Sequence, residues 1–412
     1  MNEPVGGTGY GALFRLAVPR RLVLAVIPAD LADWLDYAAI VALLVFTWNE
    51  GPYALALFAI ALSIPYILVG PFLAILTDRL PLRAVLVASN VGRGLVTIGL
   101  IFAGDTAVVL ILVFLRSSID SAFTPARQAA IQATTPTALL PAANGLHQAV
   151  NQTSKVVGPA LGGLLLSVMT PQWVFAVNTL LSLAAAIVLA TIAIPRATAE
   201  RAEESVFRRA LAGFAEFGRS KALRIALLFV AFAYFSFFLY DALVALLAAE
   251  LGFDETAFGL SIAASGAGGI LGALLAGRMT RTAPLRVMAA GALLSGLATV
   301  LLASAAAAAL TIPLVLFFLA LAFMGGSAAA MLVPYRTIIQ ESVAPDRIAR
   351  VYAAGEAVTV AVMLSAPFIG SAIAERFGTP FAFLCGGVLL LVLGIATIAR
   401  RQRPPAAKPS SA

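Results

Sequence analysis

The sequence predicts an all-α membrane protein with twelve transmembrane helices in two pseudo-symmetric six-helix bundles. Three observations carry the prediction. Of 412 residues, 61% are hydrophobic and 11% charged, with a mean hydropathy of +0.99, whereas charged residues approach a quarter of an ordinary soluble domain. Twelve apolar stretches recur, each near the length of about 20 residues that crosses a hydrocarbon core of about 30 Å as a helix. Parts of the chain also occur twice. Pro125-Ala126-Arg127, eight residues and Pro136 return as Pro334-Tyr335-Arg336, eight residues and Pro345, offset by 209. Ala39–Leu44 returns as Ala242–Leu247, and Pro81-Leu82-Arg83 as Pro284-Leu285-Arg286, both offset by 203. A duplicated unit filled with long apolar runs points to a membrane transporter whose substrate site lies between the halves.

In chain order, the first span, about 22–47, is too long for a signal-peptide core and lacks a small-residue cleavage site, so it is expected to stay in the membrane. It carries Asp30, Asp33, Trp34, Asp36 and Tyr37. A carboxylate at mid-membrane depth costs about 2.5–3.5 kcal/mol on insertion scales. Steps of three on a helix keep the aspartates within an arc of about 120°, so they can face one cavity. Asp30, near the end of the span, is read as hydrated; Asp33 and Asp36 are the functional candidates.

The second span, about 53–77, ends in Gly70-Pro-Phe-Leu-Ala74-Ile-Leu-Thr-Asp78-Arg79-Leu-Pro81-Leu82-Arg83. An Asp at the end of a helix opposes the helix dipole and calls for nearby cations or a neighbouring helix N-terminus. A latch that forms and breaks would meet that need, making Asp78, Arg79 and Arg83 candidates for a gating loop. The third span, about 84–104, contributes Arg93, and the fourth, about 106–127, carries Arg116 and Asp120. At i and i+4 these two are expected to pair within their helix, or Arg116 to tune a nearby carboxylate.

Span five, about 143–168, carries Gly145, Ser154, Gly158-Pro159 and Gly162-Gly163, with His147, Asn151 and Lys155 among them. Ser154, Gly158 and Gly162 stack at i, i+4 and i+8 and allow a neighbouring helix close, while Pro159 frees the Lys155 carbonyl and permits a bend. Span six covers about 172–194, and residues 196–223 form the one substantial polar interruption. Val206, Phe207, Ala210, Leu211, Phe214 and Phe217 recur there at helical spacing, as in an amphipathic helix at the membrane surface.

Span seven, about 224–248, contains Tyr234, Phe235, Phe237, Phe238, Tyr240 and Asp241; the aromatics could line a cavity for flat or cationic molecules. Span eight, about 257–279, has the small-residue row Ser261, Ser265, Gly269, Ala273 and Gly277, and Arg281 stands where Asp78 would repeat. Spans nine to twelve, about 286–304, 311–333, 350–373 and 380–399, add Glu356 and a lone Cys385, which excludes an intrachain disulfide. The expected organisation is an N-terminal six-helix half at 1–195, a connector at 196–223, a C-terminal half at 224–403 and a disordered tail at 404–412.

The net charge of +7 does not indicate nucleic acid, because its basic residues gather at one side. Arg15, Arg20, Arg21, Arg79, Arg83, Arg127, Arg196 to Arg224, Arg278, Arg281, Arg286, Arg336, Arg347, Arg350 and Arg400 to Lys408 share that side, while Glu50, Asp105, Glu250, Asp254, Glu255, Glu375 and Arg376 mark the other. The positive-inside rule then places both termini and the connector in the cytoplasm of a multi-pass protein of the cell (inner) membrane. There is no phosphate-binding loop, zinc spacing or nucleophile elbow. ATP hydrolysis, enzymatic catalysis, metal and cofactors are therefore not expected.

Across nearly the whole chain the motifs resemble the major facilitator superfamily, in its drug-efflux branch with macrolide-efflux and enterobactin-exporter-like members. The loop with Asp78, Arg79 and Arg83 resembles that superfamily's signature between spans two and three, with Ala74, Pro81 and Leu82 in place of two Gly and one Arg. Arg116 matches a basic signature residue in span four, where Asp120 replaces a Gly. Gly145, Ser154, Gly158, Pro159, Gly162 and Gly163 are similar to the antiporter signature, with Ser154 replacing a Gly. The resemblance implies a monomer that exports small molecules from the cytoplasm in exchange for protons, by rocking two bundles around a midplane site. Asp33, Asp36, Asp241, Arg116, Asp120, Tyr37 and Tyr240 are the residues expected to carry proton coupling or line the substrate cavity. The leading expectation is a proton antiporter for lipophilic cationic or zwitterionic compounds. The alternatives are an importer or lysophospholipid flippase of the same fold, and a non-transporting receptor or scaffold.

Overall fold

The computed structural model describes residues 10–70, 72–73, 80–194, 214–279, 284–343 and 348–401. Helix α1 (Ala17–Ala42) follows a short helical segment, Tyr10–Arg15, and runs on into a π-turn at Leu43–Thr47. Helices α2 (Pro52–Leu68), α3 (Leu82–Ile101), α4 (Thr106–Thr134), α5 (Leu140–Leu166) and α6 (Pro171–Ala190) complete the first six. Pro52 opens α2, where its missing N–H costs nothing. Asp105 caps α4 by accepting a hydrogen bond from the Val108 backbone N–H at 2.9 Å.

Helix α7 (Lys221–Glu250) is interrupted by a 3-10 turn at Asp241–Leu243, so that its two parts are Lys221–Phe238 and Val244–Glu250. Helices α8 (Glu255–Met279), α9 (Pro284–Ala307), α10 (Leu314–Ser342), α11 (Ile348–Phe377) and α12 (Thr379–Arg401) follow. Among the described residues nine helices are long and apolar enough to cross a membrane. Outside that set stand α1 with its three aspartates, α5 with a polar run from Asn144 to Lys155, and α2, which is apolar but only 17 residues long. The signal that weakens in α1 and α5 is the polarity of the site itself.

The chain divides into two compact units, one of Met1–Glu203 with Val244–Ala263, the other of Glu204–Leu243 with Ala264–Ala412. The boundary crosses α7 at its 3-10 turn. In the first unit α1 packs on α5 and α6, α3 on α4 and α6, and α2 on α4. A cluster including Leu22, Ala25, Ala29, Leu86, Phe123, Ile131 and Leu189 fills one end. Lipid tails are as apolar as leucine, so close approach of helices through small residues does much of the holding here. A methyl group at Gly158 would lie 2.5 Å from Trp34 Cβ, and one at Gly162 2.9 Å from Ala38 Cβ. The same α5 helix meets the start of α8, where a methyl at Gly259 would lie 2.6 Å from the Gly163 Cα.

In the second unit α9 packs on α10 and α12, and α7 on α10, α11 and α12, around a core that includes Ala226, Met288, Ala292, Ile339, Val351 and Leu390. Its helices approach even more closely. A methyl at Gly325 would lie 2.0 Å from the Ser265 carbonyl oxygen, one at Gly296 2.7 Å from that of Gly387, and one at Gly370 1.8 Å from that of Leu239. Leu271, Leu274, Leu275, Leu316 and Leu319 project outward from α8 and α10 as exposed apolar side chains, the surface a bilayer would cover.

Candidate functional site

The polar side chains of α1, α3 and α4 converge on one buried ion network. Asn90, Arg93 and Thr97 lie at i, i+3 and i+7 on α3 and therefore share a face. Arg93 is fully buried and its Nη1 donates to both oxygens of Asp33, at 2.8 and 3.0 Å, and to Asp120 at 2.8 Å. Its Nη2 donates to Asn90 at 2.7 Å, and its guanidinium lies 4.8 Å from the centre of the Phe123 ring. A guanidinium suits this place because its fixed fork of donors can hold several carboxylate oxygens at once.

Arg116 on α4 completes the network. Its Nη2 donates to Asp33 at 2.7 Å, and its Nε lies 3.0 Å from Asp36. Asp36 is fully buried and accepts a long contact from the Thr97 hydroxyl at 3.4 Å. Tyr66 of α2 donates its hydroxyl to Asp120. Nearby, Asn178 of α6 donates to the Ala32 carbonyl at 2.6 Å and pins α1 to α6. Among the described residues this network joins three carboxylates, Asp33, Asp36 and Asp120, to two guanidiniums. The side chains of Asp33 and Asp120 keep 26% and 17% exposure, while that of Asp36 has 1%. The accessible surface of the network therefore lies on Asp33 and Asp120.

Two expectations change here. Arg116 and Asp120 do not pair with each other along α4: each finds its partners across a helix interface, where burial strengthens an ion pair beyond what an exposed i,i+4 pair achieves. Asp30 is not a hydrated end residue either. It is buried and binds Arg127 at 2.7 Å, with Asn151 donating at 3.4 Å, because α4 continues past the expected end of its span and carries Arg127 inside.

Of the other candidates, Tyr37 stacks near Trp34 and Phe58, with ring centres 6.1 and 5.7 Å apart. The Lys155 ammonium lies 5.5 Å from the Trp34 ring. Ser154, Gly158 and Gly162 turn one face of α5 to α1, and Pro159 and Gly163 turn toward Gly259. Gly145 faces the Tyr10 hydroxyl instead. Tyr240 packs inside the second unit. It is buried against Phe383 at 4.8 Å between ring centres, and its hydroxyl accepts from Thr299 at 3.4 Å. One residue further, Asp241 opens the 3-10 turn, is half-buried and has no hydrogen-bond or ion-pair partner among the described residues. In the gating loop Arg83 is exposed near the start of α3, while Asp78 and Arg79 lie outside the described residues.

Comparison with known proteins agrees with this architecture. The chain is 27% identical over 378 residues to an uncharacterized MFS-type transporter, YfiS, of Bacillus subtilis (strain 168), covering 90% of each chain. It is 25% identical over 353 residues to macrolide efflux protein A of Streptococcus pyogenes, covering 81% of this chain and 83% of that one. Among solved structures, the nucleoside transporter NupG superposes with a TM-score of 0.75 at 13% identity, over 94% of this chain and all of the other. A bacterial homologue of the iron transporter ferroportin, in an inward-facing state, superposes with a TM-score of 0.72 at 16% identity, over 94% and 99%. The family model described as Major Facilitator Superfamily matches residues 22–244 and 226–412, and the chain belongs to that superfamily of membrane transporters.

Proposed function

We propose that the protein is a proton-coupled antiporter that exports lipophilic cationic or zwitterionic small molecules by alternating access. The carrying observation is the charge count of the buried network, three carboxylates against two guanidiniums. A net charge held in a low-dielectric interior is costly, and one proton removes it. Asp33 and Asp120, the two members with exposed side-chain surface, are where that proton enters and leaves. Asp36, Arg93 and Arg116 hold them in place and make their charge state felt across α1, α3 and α4. Glycine-lined contacts of α5 with α1 and α8 supply an interface where helices can slide without repacking large side chains.

Export is supported by the relatives named macrolide efflux protein A, and the arrangement with both termini in the cytoplasm by the one-sided distribution of arginines. In this reading the N-terminal half, connector and C-terminal half act as a monomer in the cytoplasmic membrane of a bacterium, and the loop with Asp78, Arg79 and Arg83 latches one side of the cycle.

The test is a proteoliposome assay with an imposed proton gradient and a pH-sensitive dye. Addition of a transported substrate should dissipate the gradient. Asp33→Asn should reduce that response about tenfold or more while the purified variant still binds substrate. Transport of any substrate by the wild type without proton movement would end the proposal.

A further inference from the structure

We infer that Asp120 Oδ2 is the oxygen of the buried network that takes up the proton, and that Tyr66 of α2 is the positioning residue that holds it there. The inference rests on the reading of the protein as proton-coupled and names the atom and the hydroxyl involved. A carboxylate oxygen held by a guanidinium has no partner for a proton, since arginine donates hydrogen bonds and never accepts them. Asp33 is excluded on that ground: its Oδ1 receives Arg93 and Arg116, and its Oδ2 receives Arg93 again. Asp36 has an Oδ1 without a hydrogen-bond partner among the described residues, but the side chain is fully buried, and a proton placed there would lie closed off from solvent with no acceptor to meet it.

Asp120 differs on both counts. Arg93 takes its Oδ1 at 2.8 Å, and its Oδ2 accepts from the Tyr66 hydroxyl. A phenol both donates and accepts, so it serves either charge state. When Asp120 is charged, Tyr66 donates to Oδ2. When a proton from water binds Oδ2, the new O–H donates to the Tyr66 oxygen, and the phenol keeps its own proton, turned away; no bond within the protein breaks. The side chain of Asp120 is 17% exposed and Tyr66 45%, so the pair is reached from outside the network. The charged and titratable groups around Asp120 are Asp33 of α1, Tyr66 of α2, Arg93 of α3 and Arg116, one turn earlier on α4; those of α5, His147 and Lys155, lie by Arg127 and the Trp34 ring. Local structure places the phenol. Tyr66 and Gly70 lie at i and i+4 on the face of α2 that meets α4, where a methyl at Gly70 would lie 3.5 Å from the Cβ of Ser121, the neighbour of Asp120. Pro65, just before Tyr66, has no N–H for the Ala61 carbonyl, which leaves α2 a point at which to bend. Reversal of one hydrogen bond thus carries the charge state of Asp120 to that bend.

Infrared difference spectra of the purified full-length protein in lipid bilayers, taken as the buffer is stepped from alkaline to acid, test this through the carbonyl band of a protonated carboxyl group. The band missing from Asp120→Asn should be the first of the network's three to appear, ahead of those missing from Asp33→Asn and Asp36→Asn. Tyr66→Phe keeps the ring and removes only the hydroxyl. It should move the Asp120 band to higher frequency, because the protonated oxygen loses its acceptor, and should shift the pH profile of proton-driven transport by about half a pH unit or more. A purely structural role for the phenol would lower the melting temperature and leave band and profile in place. An Asp33 or Asp36 band that appears first, or a Tyr66→Phe protein with an unmoved band and an unchanged profile, would overturn the inference. Proton coupling in the dye assay would survive either result, so the two readings fail separately.

Discussion

Arg127 of α4 and Asp30 of α1 meet at 2.7 Å, and both side chains are nearly closed to solvent. At the offset of 209 that carries Pro125-Ala126-Arg127 onto Pro334-Tyr335-Arg336, the counterpart of Arg127 is Arg336, which is exposed, and at the offset of 203 that applies to the first span the position matching Asp30 is Ala233. The same arginine therefore ties two helices together in one copy and serves only as surface charge in the other. Removing one partner of a buried pair leaves an uncompensated charge and costs about 3–5 kcal/mol. Asp30→Asn should lower stability by an amount of that order in thermal or denaturant unfolding of the detergent-purified protein. Arg336→Gln should stay within about 0.5 kcal/mol of wild type.

Arg93 holds Asp33 and Asp120 with one nitrogen. Arg93→Met should be among the most destabilising single changes in the first unit, for the reason given for Asp30. If the cost comes from surplus negative charge, adding Asp120→Asn to Arg93→Met should recover part of it. The double-mutant cycle should then show a coupling of about 1–3 kcal/mol, and strict additivity in unfolding measurements would refute the network.

Close helix approach makes a graded prediction. A methyl at Gly158 meets Trp34 and one at Gly162 meets Ala38 inside van der Waals distance, while none of the neighbours of Gly277 lies within 4 Å. Gly158→Ala and Gly162→Ala should each cost about 1–3 kcal/mol through overpacking. Gly277→Ala should be neutral or slightly stabilising, since alanine orders a helix at lower entropic cost than glycine. A melting-temperature series would show the contrast.

Gly370 bears on the interruption of α7. A methyl there would overlap the Leu239 carbonyl at 1.8 Å, and backbone cannot swing aside as a side chain can. Gly370→Ala should therefore cost more than Gly158→Ala and reduce the yield of monodisperse protein in size-exclusion chromatography. A variant with wild-type yield and melting temperature would show that α11 does not hold the turn at Asp241–Leu243.

The architecture was legible because hydropathy and a repeated chain are properties of sequence alone. The network was legible only in part. Asp33, Asp36, Arg116 and Asp120 stood out as charges in apolar runs, and Asn90, Arg93 and Thr97 share a helical face that spacing reveals. Spacing says which residues share a face and nothing about which face meets it, so Arg116 and Asp120 read as a pair although each is held by another helix. The hydropathy of span seven gave no sign that its helix would break after Phe238 and resume through a 3-10 turn at Asp241–Leu243.

At the offsets of 203 and 209, Arg93 corresponds to Gly296 and Arg116 to Gly325. The room that two guanidiniums take up in the first unit is taken in the second by the backbone of neighbouring helices, at the carbonyls of Gly387 and Ser265. Writing the arginines back into the second copy would not restore a second ion network, because the space for it has closed. The two copies are no longer interchangeable, and a chain assembled from two first halves would be a different machine rather than a symmetric version of this one.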